Sequence, residues 1–439
     1  MRAIQPELTF VDGLFQPGLV VVIDGDAISA VIPRAEVPDS IGIEPWAHHA
    51  LVPGTVNAHG HAFQNLFKGF ADDRSFEDWR DAVLYPFSEG LSIDDIYTGA
   101  LFAFTEALLA GVTTTVDFFY LHDDGNENAD AVIRAARDAG IRLVLARAFY
   151  DLDAPTNAPA RFRESATDAA ARTRELAEAY REDPAVLVQP APHSLHAASP
   201  ETIAVALEVA QDLDVPFHLH LAEATYERDM IVDRFGLTPV RLLADRGLLH
   251  PRLVAVHAVW LDDDEVDLIA AAGAGVVHCP GANAFLGDGI ARAAQMIAKG
   301  VRVALGPDGG CANNRQSVFD EMRTASLLAK ATATDGSVLP APAAFDLGTR
   351  AGADLLGIPA GSIAPGMFAD LVGLDLEDLS LQPPANLERM VVHSMQPSAI
   401  ARVMVGGEVV VERGSPSRVD VPDLRRRIGE TTARWERPS

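Results

Sequence analysis

Two histidines separated by one glycine, His59-Gly60-His61, stand at the end of a short apolar run. Residues two apart on a strand point to one face, so both imidazoles can approach one metal ion. Further donors follow at the ends of later β runs: His193, the His218-Leu219-His220 triplet, His257, His278-Cys279 and Asp308. His59, His61, His220 and Asp308 together offer three imidazoles and a carboxylate. That set suits zinc, with ferrous iron as the alternative, and leaves room for a water. His218 competes with His220 for ligand status. Glu223 decides for His220, because a carboxylate three residues past a ligand can reach over a substrate at the metal; His218 then falls to a supporting or packing role. No lysine lies between Lys68 and Lys299, so a carboxylated lysine bridging a second ion is not expected, and one metal is the expected count. Cys279 and Cys311 read as small buried thiols, not as nucleophiles.

These donors need a scaffold that gathers strand ends. Short β runs recur at 51–57, 112–118, 141–149, 186–191, 215–221, 253–259, 275–279 and 301–305. Helical stretches separate most of them. One opens at Ser92 with Asp95 three residues on, a capping-box start, and runs to Ala110. Another spans 165–182. Strands alternating with helices predict a parallel sheet of βα units. Their number and the span predict a closed (β/α)8 barrel of the TIM type, whose strand ends build the active site. A doubly wound sheet is the runner-up, but no Gly-rich phosphate turn follows the first run. Both flanks are β-rich. Runs at 18–23 and 27–32 surround an Asp24–Gly25–Asp26 turn, and runs at 368–374 and 401–412 contain a Gly406–Gly407 turn. They predict a small β-sandwich domain built from both termini. The expected division is 1–50 with 365–415 as the β domain, 51–364 as the barrel, and 416–439 as a helical tail. The loop 151–160 is expected to be irregular.

Composition narrows the function. The 439 residues carry a net charge of −27, which repels nucleic-acid backbones and anionic membranes, so neither is an expected partner. Lys68, Lys299 and Lys330 are the only lysines; the acidic balance fits salt adaptation or a plain solubility charge. Two cysteines make no disulfide framework and fit a reducing compartment. The opening MRAIQPELTF has no basic or apolar leader character, and no apolar run is long enough for a membrane span. The cytoplasm is the expected location and a small molecule the expected partner.

The motifs PGTVNAHGH (53–61), APHS (191–194), HLHLAE (218–223), VHAVWL (256–261), HCPGAN (278–283) and LGPDGGCANN (305–314) resemble the amidohydrolase superfamily, in the branch that holds atrazine-type and heterocycle deaminases. They occur in order along nearly the whole chain. The resemblance implies that His59, His61, His220 and Asp308 bind one zinc, that Glu223 and His257 are the catalytic acid/base pair, and that His193 touches substrate. It also implies a homodimer or homotetramer.

Two subfamilies divide the rest. HAFQNLFKGF and FEDWR, with FFYLH (118–122) and FLGDGI (285–290), are similar to formimidoylglutamate deiminase, and imply substrate contacts from Gln64, Arg80 and Tyr120. That family follows APHSL with an arginine for the substrate carboxylate; this chain has His196 there. DGGCANN with FDEMRTASLL (319–328) is similar to the deaminases of S-adenosylhomocysteine and methylthioadenosine, and implies contacts from Glu77, Trp79 and Arg147. The serine usual before Asn313 is Ala312. The expected reaction is hydrolytic deamination at an amidine-like carbon, with Asp308 accepting the proton of the attacking water. An N-heterocycle of purine, pterin or triazine type is the first substrate class, and an acyclic formimino compound the second. Cyclic-amide hydrolysis or dechlorination is a further alternative. A non-catalytic scaffold is disfavoured by the complete donor set.

Overall fold

The structure is a computed structural model and describes residues 1–123, 125–153 and 157–435. Its centre is α/β. Strands Thr55–Asn57, Val112–Phe119, Arg142–Phe149 and Val186–Pro192 form one parallel sheet in chain order, and Phe217–Leu221, Leu253–His257, Gly275–His278 and Arg302–Leu305 form another. Backbone hydrogen bonds cross both gaps between them. His220 N donates to His193 O at 3.0 Å on one side, and Ala58 N to Leu305 O at 3.0 Å on the other. Each expected central run appears as a strand, trimmed or extended by a few residues.

The first run is the exception. Residues 51–53 belong to the long strand Ile43–Pro53, and the central strand begins only at Thr55. The break falls at Gly54, where any Cβ would overlap the Thr113 side chain. The Thr113 side chain of the neighbouring strand fills the space that a side chain at this position would need.

Local chemistry sets the helices. Ser92 accepts from Asp95 N at 3.2 Å while Asp95 accepts from Ser92 N at 2.9 Å, so the expected capping box starts Ile93–Leu109. Ser165 caps Ala166–Ala179 by accepting from Asp168 N at 3.1 Å, without the reciprocal bond. Within the expected loop 151–160, residues 154–156 lie outside the described residues, and a 3-10 turn begins at Ala160. The tail carries the helix Val421–Thr432, and its residues 436–439 lie outside the described residues.

The two termini build one mixed sheet of nine strands. In place of two separate sheets, hydrogen bonds join eight strands in one path, and Leu14–Pro17 pairs beside it with Arg2–Val11. Ile43–Pro53 is the reason. It pairs in parallel with Arg2–Val11 and antiparallel with Leu371–Asp375, so it welds the N-terminal strands to the C-terminal ones. The Gly406–Gly407 turn lies between Ile400–Val405 and Glu408–Glu412, with φ of 55° and 79°. Ile4, Val21, Ile23, Trp46, Leu371 and Met404 make its own buried cluster. Arg142 ties the sheet to the centre: Nε donates to Asp370 Oδ2 at 3.0 Å and the guanidinium lies 3.4 Å from the centroid of the Phe368 ring. Among the described residues, no helix is long and apolar enough to cross a membrane.

Gly54→Ala is expected to destabilise the chain by about 1–3 kcal/mol, the usual cost of overpacking. A shift of the urea midpoint checks it, and an unchanged midpoint would mean that the Thr113 contact does not set the strand break.

Candidate active site

The donors at the strand ends converge. His59 Nε2 lies 3.3 Å and His61 Nε2 3.4 Å from Asp308 Oδ1. The ligand atoms of His59, His61 and His220 lie within 4.8 Å of one another, as do those of His59, His257 and Asp308. All five residues are buried.

Hydrogen bonds fix the tautomers. His61 Nδ1 meets Phe118 O at 2.6 Å and His220 Nδ1 meets His193 O at 2.7 Å. A carbonyl only accepts, so each Nδ1 carries the proton and each Nε2 is a bare lone pair. Those two Nε2 atoms face each other at 3.3 Å. Burial holds His59 and His61 well below the ordinary imidazole pKa, helped by neighbouring histidines, so protonation does not relieve the crowding. Neither ring nitrogen of His59 has a hydrogen-bond partner. Opposed lone pairs, an orphaned imidazole and one carboxylate are what a divalent cation resolves, and the cluster is suited to a metal ion.

Beside this cluster stands a second pair. His257 Nε2 lies 3.4 Å from Glu223 Oε1. Asn283 Nδ2 donates to His257 Nδ1 at 3.2 Å, which leaves the His257 proton on Nε2, directed at the carboxyl. Burial raises the Glu223 pKa well above the usual carboxyl range, with Asp288, Asp308 and Glu227 adding to it. His257 and Asp308 adopt φ of 73° and 66°, a strained region for side chains other than glycine. Such strain costs of order 1–3 kcal/mol and collects at functional sites.

His218 is turned elsewhere. Its Nε2 donates to Gln189 Oε1 at 2.6 Å, and Gln189 Nε2 is held by Leu356 O at 2.9 Å. Both cysteines are buried and unpaired with each other, and burial pushes both thiols up, so neither is primed as a nucleophile.

A cavity open to solvent at its mouth leads to the cluster. Gln64, Trp79, Arg80, Tyr120, His193 and His196 line it together with Glu223, His257 and Asp308. Gln64 Nε2 donates to Tyr120 Oη at 2.8 Å, and Trp79 Nε1 to Cys311 O at 3.0 Å. Arg80 is paired with Asp81 at 2.7 Å. Burial depresses His196 to about 3, with the charges of His220 and Arg80 adding to the effect. Two expected contacts are not brought there. Glu77 is exposed on the helix Phe76–Trp79. Arg147 is fully buried behind the strand, paired through both Nη atoms with Glu164 and donating from Nε to Asn126 Oδ1 at 3.0 Å. Phe76, Leu84, Tyr85, Tyr150, Phe162 and Tyr226 complete the lining, and sequence reasoning did not single them out as contacts. Their signal was their place in the segments that follow strand ends.

The family model described as the amidohydrolase family matches residues 50–410. The chain belongs to that family. It is accordingly a hydrolase acting on carbon–nitrogen bonds. The amidohydrolase is 34% identical over 424 residues to a 5-methylthioadenosine/S-adenosylhomocysteine deaminase of Nitratidesulfovibrio vulgaris, covering 96% of this chain and 93% of the relative. It is 34% identical over 396 residues to a 5'-deoxyadenosine deaminase of Methanothermobacter thermautotrophicus, covering 90% and 89%. Among solved structures it is similar to an adenosine deaminase from Xanthomonas campestris with bound zinc, with TM-score 0.90, 28% identity and 98% of each chain covered. The fold is therefore of the TIM-barrel α/β type.

Removing Arg147 is expected to act on stability. Arg147→Met removes the Arg147 pairing of the buried Glu164 side chain, whose Oε2 keeps Arg172 Nη1 at 2.8 Å, and costs about 1–3 kcal/mol. Urea unfolding of the variant checks this. An unchanged midpoint with a raised KM would instead return Arg147 to the substrate.

Proposed function

We propose that this amidohydrolase is a zinc-dependent aminohydrolase that deaminates an N-heterocycle of the adenosine-like purine class and releases ammonia. The observation that carries the reading is the Glu223–His257 pair, 3.4 Å apart, at the edge of a four-ligand cluster at the foot of an aromatic cavity. The names of the relatives support the purine class. We also take the two parallel sheets as a single closed eight-stranded barrel, an assignment supported by the hydrogen bonds across both gaps.

His59, His61, His220 and Asp308 would hold the ion. A zinc ion bound there would lower the pKa of water toward about 7 and supply Lewis acidity. The chain's own residues do the rest. Phe76, Trp79, Tyr85, Tyr120 and Phe162 enclose a flat ring and keep bulk water from it. Glu223 carries a proton and gives it to the ring nitrogen as water oxygen adds to the amidine carbon. His257, with Nε2–H directed inward, donates to the oxygen as negative charge develops there. Asp308 accepts the proton that the water loses and returns it to the amino group. The carbon–nitrogen bond then breaks and ammonia leaves, while the hydroxyl proton of the adduct passes to the Glu223 carboxylate as the carbonyl forms, which restores the protonated Glu223.

A second reading has its own support. Gln64, Arg80 and Tyr120 all line the cavity, whereas of Glu77, Trp79 and Arg147 only Trp79 does. The first set belongs to the deiminase resemblance, so an acyclic formimino substrate is the alternative.

Ammonia release from methylthioadenosine, S-adenosylhomocysteine, 5'-deoxyadenosine, adenosine and formimidoylglutamate separates the two readings. Turnover of a purine nucleoside is the expected outcome. Turnover of formimidoylglutamate alone would replace the first reading by the second. Glu223→Gln is expected to keep its metal and lose roughly 10²–10⁴-fold in rate, the usual worth of general acid–base help; retention of more than about a tenth of the rate, against that range, would remove Glu223 from the role. Chelation should abolish ammonia release, and added zinc should restore it. Activity that survives complete metal removal, verified by elemental analysis, would refute the metal's part.

A further inference from the structure

The cavity wall formed by Phe76, Trp79, Arg80, Leu84 and Tyr85 comes from one excursion of the chain. Its backbone is one continuous helical run, α-helical at Phe76–Trp79 and Tyr85–Glu89 and π-helical between them at Arg80–Leu84. A helical run of this length is marginal in water on its own, and π turns are rare and cluster at functional sites. The wall must be held by something outside itself.

Trp79 Nε1 on Cys311 O and Arg161 Nη1 on Ser88 O, at 2.9 Å, hold it in part, and a further anchor comes from the far end of the chain. Trp435 stacks on Phe87, with centroids 4.7 Å apart and planes 8° from parallel. Phe67 and Phe70 meet the same indole edge-on at 5.3 and 5.9 Å, and both rings also meet Phe87, at 5.6 and 5.4 Å. Phe67 ends the 3-10 turn Ala62–Phe67, which carries the cavity residue Gln64. One indole therefore joins the two segments that build this side of the cavity. Its own position is fixed through Asp95. Thr431 Oγ1 donates to Asp95 Oδ1 at 2.8 Å and Arg434 Nη2 pairs with Asp95 Oδ2 at 2.9 Å. Asp95 is at once the capping residue of Ile93–Leu109. The tail is tied to a helix start at one point and to the wall at the next.

We propose that Trp435 is a positioning residue for the substrate wall, and that residues 421–435 act as a strap across its outer side. The strap touches neither the metal-ligand cluster nor the Glu223–His257 pair, so it sets how the substrate is gripped and leaves the reacting groups alone. Its geometry does not depend on which substrate the cavity takes.

Amide hydrogen exchange tests this without any substrate, so its outcome is independent of the reaction assigned above. In Trp435→Ala, exchange across 67–90 should quicken while 217–223 and 253–257 keep their protection. With a turned-over substrate, KM should rise about three- to tenfold with kcat and metal content unchanged, which is the size of effect that loss of an aromatic pair or two produces. Trp435→Phe should restore most of both. Thr431→Val combined with Arg434→Ala loosens the tail at Asp95 and removes the Arg434 guanidinium 5.8 Å from the Trp435 ring, but leaves the ring–ring contacts in place. It should give the same exchange pattern at smaller amplitude, and it serves if Trp435→Ala does not fold. Unchanged exchange across 67–90 in a folded variant would overturn the proposal. So would a lowered melting temperature with uniform loss of protection and no change in KM, which would mark a merely structural contact.

Discussion

Two proton-free ring nitrogens, on His61 and His220, face each other at 3.3 Å inside the protein. Much of the architecture near the site serves to make that arrangement tolerable. Each imidazole is oriented by a backbone carbonyl behind it, so the fold itself, rather than another side chain, sets the tautomer. The neighbouring backbone must come very close. A Cβ on Gly306 would lie 2.8 Å from both His59 N and His59 O, so only glycine lets the last central strand pass there. Asp308 and His257 take left-handed backbone conformations to turn their side chains inward. Each feature is unfavourable alone. Together they form one device, because strand ends fixed by hydrogen bonds on both sides leave the ligands few alternatives.

The part of this that was legible in the sequence is the part governed by short-range rules. An H-x-H spacing on a strand becomes two side chains on one face without reference to anything distant. The capping box at Ser92 and the Gly406–Gly407 turn were likewise decided within a few residues. The break at Gly54 was not, because it depends on Thr113 arriving from another strand. The weld between the terminal strands was hidden for the same reason, since Ile43–Pro53 acquires its C-terminal partner more than 300 residues later.

Arg147 shows how strand parity can mislead. It lies near the end of a central strand, which in such folds suggests substrate contact. Alternation puts it on the same side as Phe149, two residues on. Phe149 packs with Ala169, Ala170, Ala206 and Val209, residues of the surrounding helices. Arg147 therefore faces the helix layer, where Glu164 receives it. Tyr150, one residue past Phe149, falls on the other side and lines the cavity. The alanines at 146 and 148 already hinted at which face was the crowded interior.

The same division separates chemistry from selectivity. The buried His and Asp cluster sits at strand ends, where geometry is inherited from a hydrogen-bonded sheet and tolerates little variation. The cavity wall sits on short irregular segments at 76–85 and on Tyr150, Phe162 and Tyr226, brought together only by tertiary packing. A wall of that kind can change its residues without disturbing the ligand cluster behind it, since the two share few structural elements. Sequence motifs therefore identify the family and its bond chemistry long before they identify the molecule that is cleaved. The aromatic character of this wall narrows that molecule by shape. Its rings favour something flat, while Arg80, already paired with Asp81, has part of its charge satisfied before any substrate arrives.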